Sequence, residues 1–430
     1  MEAFILFGSL LTLIILGVPI AFSIGLSGAF FLLVTQMRPL ILVAQRLMVG
    51  MDSFALLAIP LFTLAGYIME EAGLSKRLVD WAQSIFGWFP GSMGIITIIS
   101  CTVFAALTGS GPATVAAIGS IMIPAMVSSG YKKEDAAGLL AAGGALGPII
   151  PPSISMIVYG TTMGVSVPDM FLAGIVPGLM LALGYIATNT IYAIKNNIKR
   201  NEEKYSAKEC LKFTWKALGV LMLPVIVLGG IYGGIFTPTE AASICVVYSV
   251  ILGLIYKELN WKKLIIAMRK TVETSAMVVF IVGMSGLLGW VLASAKIPTM
   301  IANAVIPLFS NKYIYMLILM LLLFVVGCLM EILASIVILA PILVPIGVQM
   351  GWDPLHLGII FCVNLIVGYI TPPFGVNLFT ASSTAGVPFA GVLKGVIPYL
   401  ITSIIIVLIL AFFPNIILFL PRLVASLKGA

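Results

Sequence analysis

Charge is what this chain has least of. Of its 430 residues only 9% are Asp, Glu, Lys or Arg, while 61% are hydrophobic, and the mean hydropathy is +1.18. Soluble domains carry about 25% charged residues, so composition excludes that class and points to a polytopic protein of the lipid bilayer. Strict apolar–polar alternation is also missing. The apolar runs are long and continuous, which argues against a β-barrel and for membrane-spanning helices. Histidine occurs once, at His356 in GWDPLH. The five cysteines, Cys101, Cys210, Cys245, Cys328 and Cys362, form no metal-binding spacing. These residues supply no acid, base and nucleophile set, so no enzyme is expected. A basic n-region is absent as well. Glu2 stands in its place, and the run from Ala3 reads as a first membrane helix rather than a removed signal. The net charge of +7 then reflects Lys and Arg gathered in cytoplasmic loops, and no nucleic-acid partner is expected.

What the chain does have is internal symmetry. GPIIPPSISMIVYGTTMGVSVPDMFLAGIVPGL, from Gly147, matches GYITPPFGVNLFTASSTAGVPFAGVLKGVIPYL, from Gly368. The pairs Pro151/Pro372, Pro152/Pro373, Gly174/Gly395 and Pro177/Pro398 share one offset, and Pro19/Pro238 and Pro124/Pro341 fall close to it. Two halves are expected, 1–205 and 206–430, parted by the basic stretch Lys195 to Lys216. Each half reads as two spans joined at a Pro turn, a third span, an uncharged stretch with a polar break, a span interrupted at Pro-Pro, and a final span. Five crossings per half would invert the second half. With both termini outside, 17 of the 23 Lys and Arg residues fall inside, which sets the orientation. Two segments, LSKRLVDWAQSIFGW and KELNWKKLIIAMRK, carry one apolar face at helical spacing. They suit helices lying along the cytoplasmic surface, or ordinary loop helices packed on protein.

The polar breaks carry the chemistry. Ser92 to Gly130 contains no charged residue, yet its middle reads TGSGP. The arms Ser92–Leu107 and Ala113–Ser128 each reach roughly 24 Å, short of a hydrocarbon core of about 30 Å. A re-entrant hairpin over 92–130 is expected, with a second over 313–352 whose only charge is Glu331, in GCLMEILAS. Broken spans follow each, over 134–164 (GALGPIIPPS) and 355–385 (VGYITPPFG). Irregular backbone at membrane depth is tolerated only in protein or along a wet cavity. Matched breaks in two halves point to a transporter site. There, free carbonyls can ligate Na⁺ and half-helix N-termini can hold a carboxylate. Gly109 and Gly111 could instead serve close packing. Glu331 is a functional candidate by depth, or else a protonated or paired structural carboxyl. Glu240, in FTPTEAASI, reads as a helix N-terminal carboxylate.

TGSGPATVAAIGS, GPIIPPSISMIVYG, AGIVPGL, FTPTEAA, APILVPIG and GYITPPFGVNLF together resemble the large membrane subunit of the tripartite ATP-independent periplasmic (TRAP) transporters. The resemblance covers essentially the whole chain. It implies an all-α fold of two inverted repeats with an elevator-type scaffold and transport domain. It implies Na⁺-driven uptake, across the bacterial inner membrane, of an organic acid such as sialic acid or a dicarboxylate. The implied partners are a periplasmic binding protein and a small four-helix membrane subunit, with this chain's termini periplasmic. A related single-component dicarboxylate carrier, needing no partner, is the alternative. Residue by residue, Ser110, Ser155 and Glu331 are implied as substrate contacts. A first Na⁺ site is implied at Ser110, Gly111, Thr114, Gly147 and Pro148, and a second at Gly327, Gly368 and Thr371. Glu331 stands where relatives commonly carry Asp, and Gly111 where many carry a second serine.

Overall fold

The computed structural model describes residues 2–198, 205–308 and 311–427. Residues 199–204, beside the expected boundary between the halves, and Lys428 of the charge count lie outside the described residues. Among the described residues there is no strand. The first half holds α1 (Glu2–Ile15), α2 (Ile20–Thr35), α3 (Ile41–Met51), α4 (Ala58–Glu71), α5 (Leu74–Phe86), α6 (Ser92–Thr108), α7 (Gly111–Ser128), α8 (Lys133–Ala145), α9 (Ile154–Met163) and α10 (Val167–Lys195). The second holds α11 (Ala207–Tyr232), α12 (Pro238–Ile255), α13 (Trp261–Ser294), α14 (Ile297–Val305), α15 (Lys312–Leu329), α16 (Ile332–Gln349), α17 (Pro354–Gly368), α18 (Val376–Ala385), α19 (Phe389–Phe412) and α20 (Pro414–Leu427).

Nine helices among the described residues are long and apolar enough to cross a membrane, by length and composition. Large apolar side chains, among them Leu183, Ile191, Val272 and Leu321, face outward from the protein. An outer surface of that kind belongs against lipid rather than water.

Local sequence explains the breaks and their absence. Between Trp261 and Val282 there is no glycine or proline, so the expected surface segment KELNWKKLIIAMRK is not a separate helix. From Trp261 on it forms the first turns of α13, which runs unbroken for 34 residues. The corresponding stretch of the first half is interrupted at Asp52–Ser53, between α3 and a 3-10 turn (Phe54–Leu57) that leads into α4. LSKRLVDWAQSIFGW becomes α5. Its apolar residues Leu74, Leu78 and Ala82 are buried against protein, with α6 and α11 as neighbours, so a membrane-surface role for that face is corrected to ordinary packing.

The helices pack in two groups that also touch each other, α4 and α5 on α6, α5 on α11 and α13 on α16. In one, α1 and α2 pair, α2 and α3 lie on α13, and α4 lies between α12 and α13. In the other, α6, α7 and α8 pack together, α8 lies on α19, and α15 and α16 lie on α17. Across the halves the packing is crossed: α9 lies on α16, and α18 lies on α7 and α8. At the foot of α6, Tyr131 Oη donates to Asn189 Oδ1 at 2.9 Å while Asn189 Nδ2 donates to Gly91 O at 3.0 Å. That small polar cluster fixes the root of the α6–α7 pair on α10.

Candidate functional site

The first break is built by two residues. Gly109 takes φ +60, in the left-handed region that glycine enters at no steric cost, and ends α6. Ser110 is extended and opens α7 as its N-cap, accepting from Ala113 N at 3.5 Å. Pro112 follows in the first turn, where no N–H is needed. Thr114 Oγ1 donates to Ser110 O at 2.8 Å and lies 3.2 Å from Thr108 Oγ1. The helix arms of 17 and 18 residues reach roughly 26 and 27 Å, a turn's fraction longer than the sequence suggests, because Thr108 and Gly111 stay helical.

The first interrupted span runs from α8 through Gly147 and Pro148 to the Pro151–Pro152 pair, and resumes as α9. Ser153 caps α9, accepting from Met156 N at 3.4 Å. Ser155 Oγ donates to Pro148 O at 3.1 Å and sits 2.9 Å from Ser153 Oγ, which bonds the same carbonyl. The carbonyl freed by the break is thus held by hydroxyls.

At the second break the chain turns at Met330 and Glu331, both extended. Glu331 is the N-cap of α16: its Oε2 accepts from Leu333 N at 2.8 Å and Ala334 N at 3.1 Å. Tyr369 Oη donates to Glu331 Oε1 at 3.3 Å and accepts from Ile332 N at 3.2 Å. Both carboxylate oxygens are therefore engaged within the protein. Gly327 lies in the last turn of α15 directly on Gly368 at the end of α17, where a β-carbon on Gly368 would meet Gly327 C at 2.3 Å. Thr371 Oγ1 donates to Val367 O at 2.8 Å.

These breaks meet at a cavity of about 250 Å³. Ser110, Gly111, Pro148, Ser155 and Glu331 all line it. So do the first residues of four helices: Gly111 of α7, Ile154 of α9, Ile332 of α16 and Val376 of α18. Thr274, Met277 and Val278 close the far wall from α13, and Thr274 Oγ1 is 3.0 Å from Tyr67 Oη. Glu331 is the one charged residue in the lining, and no Lys or Arg contributes. Each helix N-terminus carries roughly +0.5 of an elementary charge, so the backbone supplies the positive partial charges around the cavity, and Glu331 offsets the one at α16.

Other residues singled out by the sequence lie off the cavity. Thr114 sits beneath the first tip and Gly147 behind it. Gly327, Gly368 and Thr371 form a separate cluster under the second tip. Glu240 is remote: with Thr237 it makes a capping box, Thr237 N donating to Glu240 Oε2 at 2.8 Å and Glu240 N to Thr237 Oγ1 at 3.3 Å. Sequence reasoning does not single out Tyr369, Thr274 or Asn377. The signal for Asn377 was available, since it is a lone carboxamide in the apolar run FGVNLF.

The residues under the first tip fit a small hard cation. Gly111, Gly144 and Gly147 leave backbone bare, so that a β-carbon on Gly144 would lie 3.0 Å from Gly111 O. The side chain of Asn377 is fully buried here, and its Oδ1 has no hydrogen-bond partner among the described residues. Backbone, hydroxyl and amide oxygens are the donors such ions take. Among the described residues no group of three or more His, Cys, Asp or Glu gathers.

The family model for the tripartite ATP-independent periplasmic transporter, DctM component, matches residues 7–416. The isethionate TRAP transporter permease protein DctMQ of Oleidesulfovibrio alaskensis is 42% identical over 96% of this chain, which spans 66% of that relative's length. The C4-dicarboxylate TRAP transporter large permease protein DctM of Vibrio cholerae is 40% identical over 98% of each chain. The sialic acid TRAP transporter large permease protein SiaM of the same organism is 34% identical over 96% of this chain and 97% of that one. The crystal structure of the Alcanivorax borkumensis YdaH transporter superposes with a TM-score of 0.60 at 15% identity, covering 87% of this chain and 89% of the other, which establishes a shared fold.

Proposed function

The chain belongs to the DctM component of the tripartite ATP-independent periplasmic transporters, and from that premise we propose that it is the large membrane subunit of a Na⁺-coupled importer of a small organic acid. The supporting observation is the convergence of four helix N-termini on one cavity that lacks Lys and Arg. An anion is held there by backbone dipoles and hydroxyls, as at other helix N-termini.

The roles divide by what each group has left to give. Ser110 Oγ accepts from Ala113 N, so its proton is free to point at a substrate carboxylate. Ser155 stands at the N-terminus of α9 and turns its hydroxyl from Pro148 O to the anion. Glu331 spends Oε2 on the N-terminus of α16 and Oε1 on Tyr369 Oη, which steers the anion toward α7, α9 and α18. Ser110, Gly111, Thr114, Gly147 and Pro148 hold one Na⁺, and Gly327, Gly368 and Thr371 a second. When bound, these ions supply the positive charge that offsets the incoming carboxylate. The cavity of about 250 Å³ lies below the usual range for ligand sites, roughly 300–1,000 Å³, and suits a short acid.

The two packing groups support an elevator reading of the movement. The group holding both breaks is the moving part, and α1–α4 with α11–α13 form the fixed wall, of which Thr274 is a part. A periplasmic binding protein delivers the acid, a small four-helix membrane subunit completes the permease in the inner membrane, and both termini are periplasmic.

The test is reconstitution in proteoliposomes with the small subunit, the binding protein and labelled acids. Uptake is expected only with an inward Na⁺ gradient and binding protein present. Equal uptake in choline buffer would overturn the coupling. Uptake by this chain alone would favour a self-sufficient carrier.

A further inference from the structure

We propose that Asn377, lent by the second half, is a cation ligand under the first tip. The inference rests on the Na⁺-coupling reading and adds to it a side chain from the opposite half. Asn377 stands in the first turn of α18, which crosses to lie on α7 and α8. Its Nδ2 is 3.1 Å from Ala141 O. A carbonyl only accepts, so the atom facing it is the amide nitrogen, and the orientation of the carboxamide follows.

The oxygen is therefore turned toward the tip. A β-carbon on Gly111 would lie 2.8 Å from Asn377 Oδ1, and one on Gly144 would lie 3.2 Å from Nδ2. Oδ1 is buried with no donor among the described residues, and buried acceptors of that kind are rare unless something binds them. The local amides do not answer it. Pro112 has no N–H, Ala113 N is bonded to Ser110 Oγ, and Thr114 N goes to Ser110 O at 3.2 Å. A neutral oxygen beside bare glycine backbone suits a monovalent cation. The position that matches Asn377 in the first half is Met156, whose thioether packs on Gly174, so the second cation cluster has no matching amide from the opposite half. The two sites are therefore unequal, and only the first spans both halves.

Hydrogen exchange on the purified permease, in NaCl against choline chloride, separates the tips. The wild type is expected to show Na⁺-dependent protection at residues 109–114 and at 327–334. In Asn377→Ala the half-saturating Na⁺ concentration at 109–114 rises at least tenfold, while that at 327–334 stays within threefold. Asn377→Asp keeps an oxygen and adds charge, so its half-saturation at 109–114 falls below the wild-type value. Should the alanine variant fail to fold, Asn377→Asp decides: an unchanged or raised half-saturation overturns the proposal. An Asn377→Ala profile equal to wild type overturns it too. A wild type with no Na⁺ response at either tip overturns the coupling reading itself, and this inference with it.

Discussion

Gly147 lies so close behind Ser110 that a β-carbon built on it would stand 2.8 Å from both the carbonyl carbon and the carbonyl oxygen of Ser110. The obstacle is backbone, so no side-chain rotation relieves it. Gly147→Ala is expected to push the first tip off α8, at a cost of about 1–3 kcal/mol. Melting of the purified protein should fall, and uptake should fall further than stability alone explains.

Ser110 offers a cleaner separation of folding from binding. Asp caps helices about as well as Ser, while Ala does not. Ser110→Asp should therefore keep its melting temperature near wild type yet lose uptake at least tenfold, because a carboxylate now occupies the place of the anion. Ser110→Ala should lose both about 1 kcal/mol of stability and part of its uptake. Transport by Ser110→Asp at the wild-type rate would remove Ser110 from the anion site.

Glu331 is a cap before it is anything else. Glu331→Ala leaves Leu333 N and Ala334 N without their acceptor and should destabilise by about 1 kcal/mol. Glu331→Asp, a shorter acid with the same capping chemistry, should melt within a few degrees of wild type. Thermal melts of the pair, followed by uptake assays on the same preparations, show whether the longer side chain also selects the substrate.

Gly368 and Gly289 form an internal control. A β-carbon on Gly368 would meet Gly327 C at 2.3 Å and Gly327 Cα at 2.6 Å, whereas one on Gly289 would meet nothing within 4 Å. Gly368→Ala should abolish folded protein in membranes, or restore it only with a large loss in melting temperature. Gly289→Ala should be neutral or slightly stabilising, since alanine favours helix by about 1 kcal/mol. Size-exclusion profiles of the two variants give the comparison.

The two breaks differ in how openly the sequence announces them. Gly109 and Pro112 mark the first in the usual language of helix punctuation. The second has no glycine or proline between Cys328 and Ala340, and only the carboxylate of Glu331 betrays it. Ser110, Ser155 and Glu331 are far apart in the chain, yet their local settings, each within the first residues of a helix, could be read from hydroxyls and a charge beside breakers. Asn377 could not be placed so. Its surroundings are set by α18 crossing to α7, a contact between residues on opposite sides of the chain's midpoint, and periodicity says nothing about such contacts. The surface helix expected at Trp261 failed for the opposite reason. Its amphipathic face is real, but nothing in the sequence stops the helix, and so it runs on into the span.

The crossed packing of α9 on α16 and α18 on α7 also bears on how the protein is made. Synthesis proceeds from the N-terminus, so the polar tip at Ser110 leaves the ribosome long before the helix that covers it exists. The first half is therefore synthesised with that tip not yet covered by α18. A chain cut short before α18 would never be released from that state, and quality-control proteases would meet it as an unfinished protein.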